Sequence, residues 1–197
     1  NPAGPAFAML YIIEHLEPLS KWVKLEYAHC SKIVGKENLL FTNIVNKEEQ
    51  EFLKKLGKVE ERSIIELFPK EEVIVLEPQA KARLQKDDFK KYKKIIIGGI
   101  LGEAEPAGRT QELITSKLKK AVPRNLGAEQ FSIDGATFVA KKIQEGEEKD
   151  LGVLKEPEIE FEEGHSTVLH YAIPVFRGKP IFTPGLVEYV QSDESWE

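Results

Sequence analysis

The chain has 197 residues, of which 31% are charged and 41% hydrophobic, a balance that excludes an intrinsically disordered chain. Its single cysteine, Cys30, excludes a disulfide framework and a cysteine-based zinc cluster. No apolar run approaches the ~20 residues that span a bilayer, and the single cysteine predicts a reducing, cytoplasmic location. The net charge of −5 argues against a surface built mainly to bind nucleic acid, although it allows a local basic groove or a basic partner.

The amino-acid balance also indicates a thermophilic source. Lysine (23) far outnumbers arginine (5), and methionine and cysteine occur once each, as in many hyperthermophile proteins. The one methionine, Met9, precedes an apolar strand, whereas residues 1–8 show no pattern. We therefore predict that Met9 is the native start and that residues 1–8 are an added segment without a place in the fold.

Short apolar segments alternate with amphipathic segments along most of the chain. Continuous apolar runs are typical of strands covered on both faces, and apolar side chains at i, i+3 and i+4 are typical of helices with one buried face. The apolar runs predict strands at residues 10–14, 39–45, 72–76 and 94–101. The amphipathic segments predict helices at residues 47–56, 109–120 and 132–144, and a further helix that begins at Ser20 and ends at Gly35. Residues 63–67 fit either type.

This alternation predicts an α/β fold with a mainly parallel sheet and helices on both faces. From residue 156 the pattern changes to short β-like segments, at 158–161, 166–172, 175–176 and 180–182. A hairpin turn is predicted at 177–179 and a last helix near 185–191. We interpret residues 9–155 as an α/β core and residues 156–197 as a β-rich extension packed on it.

Three loops follow predicted strands or precede the long helix, at residues 76–79, 98–103 and 126–132. In open α/β sheets ligands bind beyond the carboxyl ends of the strands, where such loops meet. Glycines in the second and third loops allow a ligand to approach the backbone closely. Ordinary strand-end turns are the alternative interpretation.

Several common chemistries are excluded by motif. The sequence GGILGE does not fit the dinucleotide pattern G-x-G-x-x-G, and no phosphate-binding P-loop or H-E-x-x-H metal motif is present. No nucleophile elbow supports serine hydrolase chemistry. Cys30 lies on the apolar face of its predicted helix and is interpreted as an inert core thiol.

The chain resembles the SPOUT class of methyltransferases, which have an α/β trefoil-knot fold. Within that class it is similar to the small family formerly called DUF431, whose eukaryotic member methylates an arginine of a small-subunit ribosomal protein. The resemblance covers residues 9–188 and rests on the segments YIIEHLE, SKWVKLEY, LEP, GGILGE with PAGRT, LG--Q----D-A and GKPI, in that order.

The resemblance implies a deep C-terminal knot and an S-adenosylmethionine site made by the same three loops, without a metal ion. An adenine-binding slot of this kind is apolar with a few polar partners. The cofactor-binding residues implied are Leu76, Glu77, Pro78, Gly98, Gly99, Ile100, Leu101, Gly102, Leu126, Gly127, Gln130, Phe131, Ser132 and Ala136.

An arginine acceptor would need carboxylates to orient its guanidinium and to receive a proton. Glu14 and Glu103 are the first choices, and Glu17 and Asp134 are further candidates at strand ends. A solvated surface carboxylate is the alternative for each of them. Arg109 is predicted either to contact the cofactor carboxylate or simply to begin its helix.

The function predicted is S-adenosylmethionine-dependent methylation of an arginine in a ribosomal protein. RNA methylation, and a non-catalytic cofactor-binding module of ribosome assembly, are the alternatives. The acidic stretch 145–163 would suit a basic protein partner, and lysines within 86–94 and 117–124 would suit RNA. Each charged stretch is also consistent with a solvated face. A monomer and a knot-mediated homodimer are both compatible with the sequence.

Overall fold

The structure, a computed structural model, describes residues 8–101 and 108–192. Its central sheet contains β1 (Leu10–His15), β2 (Leu39–Thr42), β3 (Lys58–Val59), β4 (Val73–Leu76), β5 (Lys94–Gly99) and β6 (Ala121–Arg124). The strand order is β3-β2-β1-β5-β4-β6, and every paired neighbour is parallel. The α-helices of this part are α1 (Lys21–Val34), α2 (Lys47–Leu53), α3 (Ile64–Leu67), α4 (Asp88–Lys91), α5 (Arg109–Leu113) and α6 (Ile133–Glu145).

The central strands are apolar throughout because both faces of the sheet are covered. Tyr11 and Ile13 of β1 pack on one face with buried residues of α1 and α6. Ile12 packs on the other face with Ile64 of α3 and with Ile114, which follows α5. The predicted parallel sheet with helices on both faces is thus confirmed.

The two long helices begin and end at the residues that the sequence indicates. The Ser20 side chain accepts the Val23 N–H at the start of α1, and the Ser132 side chain accepts the Gly135 N–H at the start of α6. Gly35 and Gly146 follow the last turns with φ of 87° and 78°, a backbone region that glycine occupies without the steric cost of a Cβ.

The helix predicted at 109–120 is wrong in its second half. Helix α5 ends at Leu113, a short 3₁₀ turn follows at Thr115–Lys117, and the chain then forms β6. Strand β6 lies at the sheet edge and pairs with β4 alone among the described strands, and an edge strand tolerates Pro123. Its pattern, AVPR, gives no strand signal by itself, so this strand depends on pairing with β4.

The C-terminal part adds β7 (Leu151–Leu154), β8 (Glu158–Glu162), β9 (His165–Val168), β10 (Ile173–Phe176), β11 (Lys179–Pro180) and α7 (Leu186–Gln191). Strands β11, β10 and β7 form one sheet, and β8 and β9 form a hairpin. The predicted turn between β10 and β11 is present, with positive φ at Arg177 and Gly178, as a tight hairpin requires.

The extension is attached to the core through α1. Trp22 and Leu25 of that helix pack against a cluster of buried residues from β8, β10 and α7. Strand β7 precedes the predicted boundary at residue 156 yet pairs with β10, and the division into two units stays a prediction. In the described ranges, no helix has the length and apolarity needed to cross a membrane.

Gly99 provides a test of the packing between β5, β1 and α1. A Cβ at this position would lie 2.5 Å from the Tyr27 hydroxyl and 2.7 Å from the Glu14 carbonyl oxygen. We expect Gly99→Ala to lower the free energy of unfolding by about 1–3 kcal/mol, because the backbone cannot yield. Gly152→Ala is the matched control, since its Cβ would meet Val175 at 3.5 Å, an ordinary contact. Equal stability of the two variants in denaturant titrations would contradict this packing.

Candidate active site

A cleft lies at the carboxyl ends of β4, β5 and β6, where a parallel sheet collects its ligand-binding loops. It is bounded by the segment after β4, by the end of β5, by the start of α5 and by the segment that leads into α6. The three loops singled out in the sequence therefore converge in space, as far as the structure describes them.

Most of the residues predicted to bind the cofactor line this cleft. They are Leu76, Glu77, Pro78, Gly98, Ile100, Leu126, Gln130, Phe131, Ser132 and Ala136. Their role in binding stays a prediction, but their mixture of apolar side chains, exposed backbone and a few polar groups is typical of a nucleotide-like ligand site.

Three other predicted residues do not line the cleft. Gly99 faces Tyr27 and the backbone of β1, because side chains alternate along a strand and its neighbour Gly98 takes the cleft side. Leu101 packs against the core cluster, and the nearest atom to a Cβ at Gly127 would belong to Arg83. Gly102 and Glu103 lie outside the described residues.

The cleft also contains residues that were not predicted individually, although Gln79 and Glu129 belong to the predicted loops. These are Gln79, Ile97, Gly108, Thr110, Gln111, Arg124, Glu129 and Ile133. Arg124 was missed because its strand, β6, was not predicted. Its guanidinium donates to both carboxylate oxygens of Asp88 at 3.1 Å, so Asp88 fixes it at the edge of the cleft.

Glu77 and Gln130 are two of the polar side chains that line the cleft. Glu77 is nearly buried, and one of its oxygens accepts the Thr115 hydroxyl at 2.8 Å. The Gln130 side-chain oxygen is buried and has no hydrogen-bond partner among the described residues. An orphaned buried acceptor costs free energy unless a ligand satisfies it. The cleft therefore fits a ligand that carries hydrogen-bond donors, as the amino and hydroxyl groups of S-adenosylmethionine do.

Glu14 is buried on the α3 side of the sheet and is not among the cleft residues. Its carboxylate accepts hydrogen bonds from the Thr42 hydroxyl at 2.8 Å, the Ser63 hydroxyl at 2.5 Å and the Ile64 N–H at 3.3 Å. Burial raises its pKa, while these hydrogen bonds oppose the rise. In this arrangement Glu14 ties β1 to β2 and to the start of α3, and its predicted catalytic role stays a prediction.

Asp134 is also buried, and its contacts are structural. Its carboxylate accepts the Ser132 hydroxyl at 2.7 Å and the Thr183 hydroxyl at 2.6 Å, and it lies 2.6 Å from His29 Nδ1. These partners belong to the start of α6, the C-terminal segment and α1. Asp134 thus holds the third cleft segment in place, and a direct catalytic role for it stays a prediction.

Glu26 is a second buried carboxyl group at this place; it lies in the segment SKWVKLEY but was not a candidate site residue in the sequence. Its side chain accepts the Ile133 N–H at 2.8 Å and is fully buried. Burial, and then the negative charge of Asp134, raise the pKa of Glu26 well above its usual range. Two adjacent buried carboxyl groups are stable only if one of them keeps its proton.

Arg109 lines the cleft at the start of α5, where the sequence analysis expected a cofactor contact. Its guanidinium lies 2.8 Å from Glu17 Oε1. The other oxygen of Glu17 accepts the Leu101 N–H at 3.2 Å. Glu17, a lesser candidate in the sequence, therefore lies beside the cleft as the partner of Arg109. In the described ranges no group of three or more potential metal ligands is found.

Comparison with known proteins identifies the family. The family described as "Protein arginine N-methyltransferase SFM1-like" matches residues 10–196. The chain belongs to this family. The Protein arginine N-methyltransferase SFM1 of Saccharomyces cerevisiae is 31% identical over 205 residues, which cover 95% of this chain and 96% of the yeast protein.

Solved structures of yeast SFM1 share the fold of this SFM1-like chain. The complex with SAM has a TM-score of 0.84 and 31% identity, and covers 98% of this chain and 94% of the yeast chain. The complex with SAH has a TM-score of 0.83 and 28% identity, and covers 94% and 96%. A Trm10 of Thermococcus kodakaraensis, with a TM-score of 0.54 and 20% identity over 71% of this chain and 96% of its own, shares the fold alone.

Gln130→Ala tests whether the orphaned amide oxygen binds the cofactor. We expect the variant to bind S-adenosylhomocysteine about tenfold more weakly, because a buried hydrogen bond to the ligand is lost. Isothermal titration calorimetry measures the change. Gln85→Ala is the matched control, since Gln85 is exposed and is not among the cleft residues. Equal affinity of both variants would remove Gln130 from the site.

Glu26→Gln tests the protonated carboxyl group beside Asp134. A folded pKa above the usual glutamate value means that the stability linked to this proton is present at low pH and is lost as pH rises toward the folded pKa. Glutamine does not titrate, so the melting temperature of Glu26→Gln relative to the wild type should increase between pH 5 and pH 8. Exposed Glu51→Gln should leave the difference constant, and a pH-independent difference for Glu26→Gln would show that Glu26 is ionised.

Proposed function

We propose that this protein transfers a methyl group from S-adenosylmethionine to an arginine side chain of a ribosomal protein. The observation that carries the proposal is the cleft at the ends of β4, β5 and β6 in a chain of the SFM1-like family. Yeast SFM1 has been solved with SAM, SAH and MTA, and the cleft of this chain offers groups suited to the same cofactor.

The cleft residues divide between the apolar and polar parts of such a cofactor. Leu126, Phe131 and Ala136 provide apolar surface, Gln130 provides an acceptor, and Glu77 provides a carboxylate of the kind that binds ribose hydroxyls. When bound, the cofactor supplies a methyl group on a positively charged sulfur. Removal of a cation from water is costly, so the carboxylates in and beside the cleft stabilise this charge.

The acceptor chemistry explains why carboxylates are needed. The guanidinium pKa of ~12.5–13.8 lies far above neutrality, so removal of its proton before the transfer would cost roughly 8 kcal/mol. The proton therefore leaves as the new N–C bond forms, and a carboxylate beside the acceptor nitrogen receives it. Of the acids predicted for this role, Glu103 lies outside the described residues and Glu14 lies on the α3 side of the sheet.

The charge distribution favours a basic protein as the substrate. Glu158, Glu160 and Glu162 alternate along β8 and are exposed, while Ile159 between them is buried. The earlier part of the acidic stretch is engaged within the chain, since Glu148 pairs with Arg83 and Asp150 pairs with Arg177. We therefore assign the outward face of β8, in place of the whole stretch 145–163, as the surface for a basic segment.

The basic stretches give weaker support to RNA as the substrate. Lys94 is paired with Glu71, Lys90 with Asp87, and Arg124 with Asp88. Cations that are neutralised by neighbouring acids contribute less to phosphate binding than free ones do. Together with the family match, these pairings favour an arginine acceptor, and RNA methylation becomes an outcome of the test.

Methyl transfer from radiolabelled S-adenosylmethionine decides between the substrates. We expect label in the basic proteins of purified small ribosomal subunits, and acid hydrolysis of the labelled band should release methylated arginine. Ribosomal and transfer RNA from the same source should stay unlabelled, and Gln130→Ala should reduce the rate at low cofactor concentration. Label in RNA alone would establish the RNA alternative, and binding of cofactor without transfer to either class would indicate a non-catalytic module.

A further inference from the structure

Several carboxylates lie near the cleft, and their surroundings differ. Glu14 and Asp134 are buried and each accepts hydrogen bonds from several donors. Glu77 lies inside the cleft with the Thr115 hydroxyl, and Glu129 pairs with Lys155 on the α6 side. Glu17 differs from these four, because it already holds a guanidinium beside the cleft. Asp88 also holds a guanidinium, that of Arg124, but through two hydrogen bonds and with both side chains more deeply buried.

The geometry of Glu17 is that of a prepared binding site for a guanidinium. The Leu101 N–H holds one carboxylate oxygen, and the Arg109 guanidinium lies 2.8 Å from the other. The Glu17 side chain retains 16% of its exposure and the Arg109 side chain 35%. Both side chains are thus partly accessible, so solvent screens the pair and a competing guanidinium can reach the Glu17 carboxylate.

Arg109 places this pair beside the cleft. Arg109 begins the short helix that bounds the cleft and lines the cleft itself, and Leu101 lies two residues after β5. Glu17, 2.8 Å from Arg109, is therefore within reach of an arginine side chain that approaches the cofactor from the side of Arg109. Planar carboxylate and guanidinium groups bind each other with high geometric specificity.

We infer that Glu17 is the specificity-determining carboxylate that binds the acceptor arginine, and that Arg109 occupies its place until the substrate arrives. The inference rests on the proposed function and extends it to the residue that recognises the guanidinium. The Leu101 amide keeps the Glu17 carboxylate in position during the exchange, and Arg109 is released toward the cleft that it already lines.

The test compares the binding of two peptides to the enzyme loaded with S-adenosylhomocysteine. One peptide spans the arginine that the wild-type enzyme methylates, and the other carries citrulline, an uncharged analogue of the same shape, at that position. Fluorescence anisotropy should show at least tenfold tighter binding of the arginine peptide by the wild type. In Glu17→Gln this ratio should fall to about one, while calorimetry shows unchanged affinity for S-adenosylhomocysteine.

Two further variants complete the experiment. Glu51→Gln, an exposed glutamate in α2, is the matched control and should keep the wild-type ratio. Arg109→Ala removes the competing guanidinium and should bind the arginine peptide at least as tightly as the wild type does. Thermal melting of each variant confirms that it is folded at the assay temperature.

The outcomes separate this inference from the proposed function. If Glu17→Gln keeps the arginine preference, or if it loses cofactor affinity instead, Glu17 is not the acceptor site. Weaker binding of the arginine peptide by Arg109→Ala would show that the acceptor arginine does not displace Arg109 from Glu17. If the wild type methylates RNA and no arginine, the proposed function fails, and the inference fails with it.

Discussion

The buried carboxylate of Asp134 holds together the parts on which the cleft depends. It joins His29 of α1, the capping Ser132 of α6 and Thr183 of the C-terminal segment. A buried charge is costly unless several donors surround it, so these three segments have to meet for the carboxylate to be stable there. The third wall of the cleft follows from that meeting, because Ser132 and Ile133 line it and Glu26 binds the Ile133 N–H.

The glutamates at the carboxyl edge of the sheet show how environment assigns roles to identical side chains. Glu14 is surrounded by donors and ties strands to a helix, Glu77 lies within the cleft, and Glu17 holds a guanidinium beside the cleft. Burial, and then the charge of Asp134, raise the pKa of Glu26 well above its usual range. Among these four, Glu17 is the one with a guanidinium partner.

Much of the fold was predictable because its signals are local. The apolar runs of β1, β4 and β5 and the capping residues of α1 and α6 lie within the elements that they define. The meeting of the three loops also followed, since parallel strands bring their carboxyl ends to one edge. Strand β6 was not predictable, because AVPR becomes a strand only by pairing with β4, and the cleft residue Arg124 was missed with it.

The sequence by itself determined the sheet, the long helices, the three loop segments and, through its motifs, the resemblance to a methyltransferase family. The tertiary structure alone decided which partners each acid near the cleft binds. Glu14 lies near the end of β1 and Glu17 lies just after it. The partners of Glu14 come from residues 42, 63 and 64, whereas those of Glu17 come from residues 101 and 109. Hydrogen-bond partners so distant in the chain leave no local pattern, so the role of each carboxylate is set by packing.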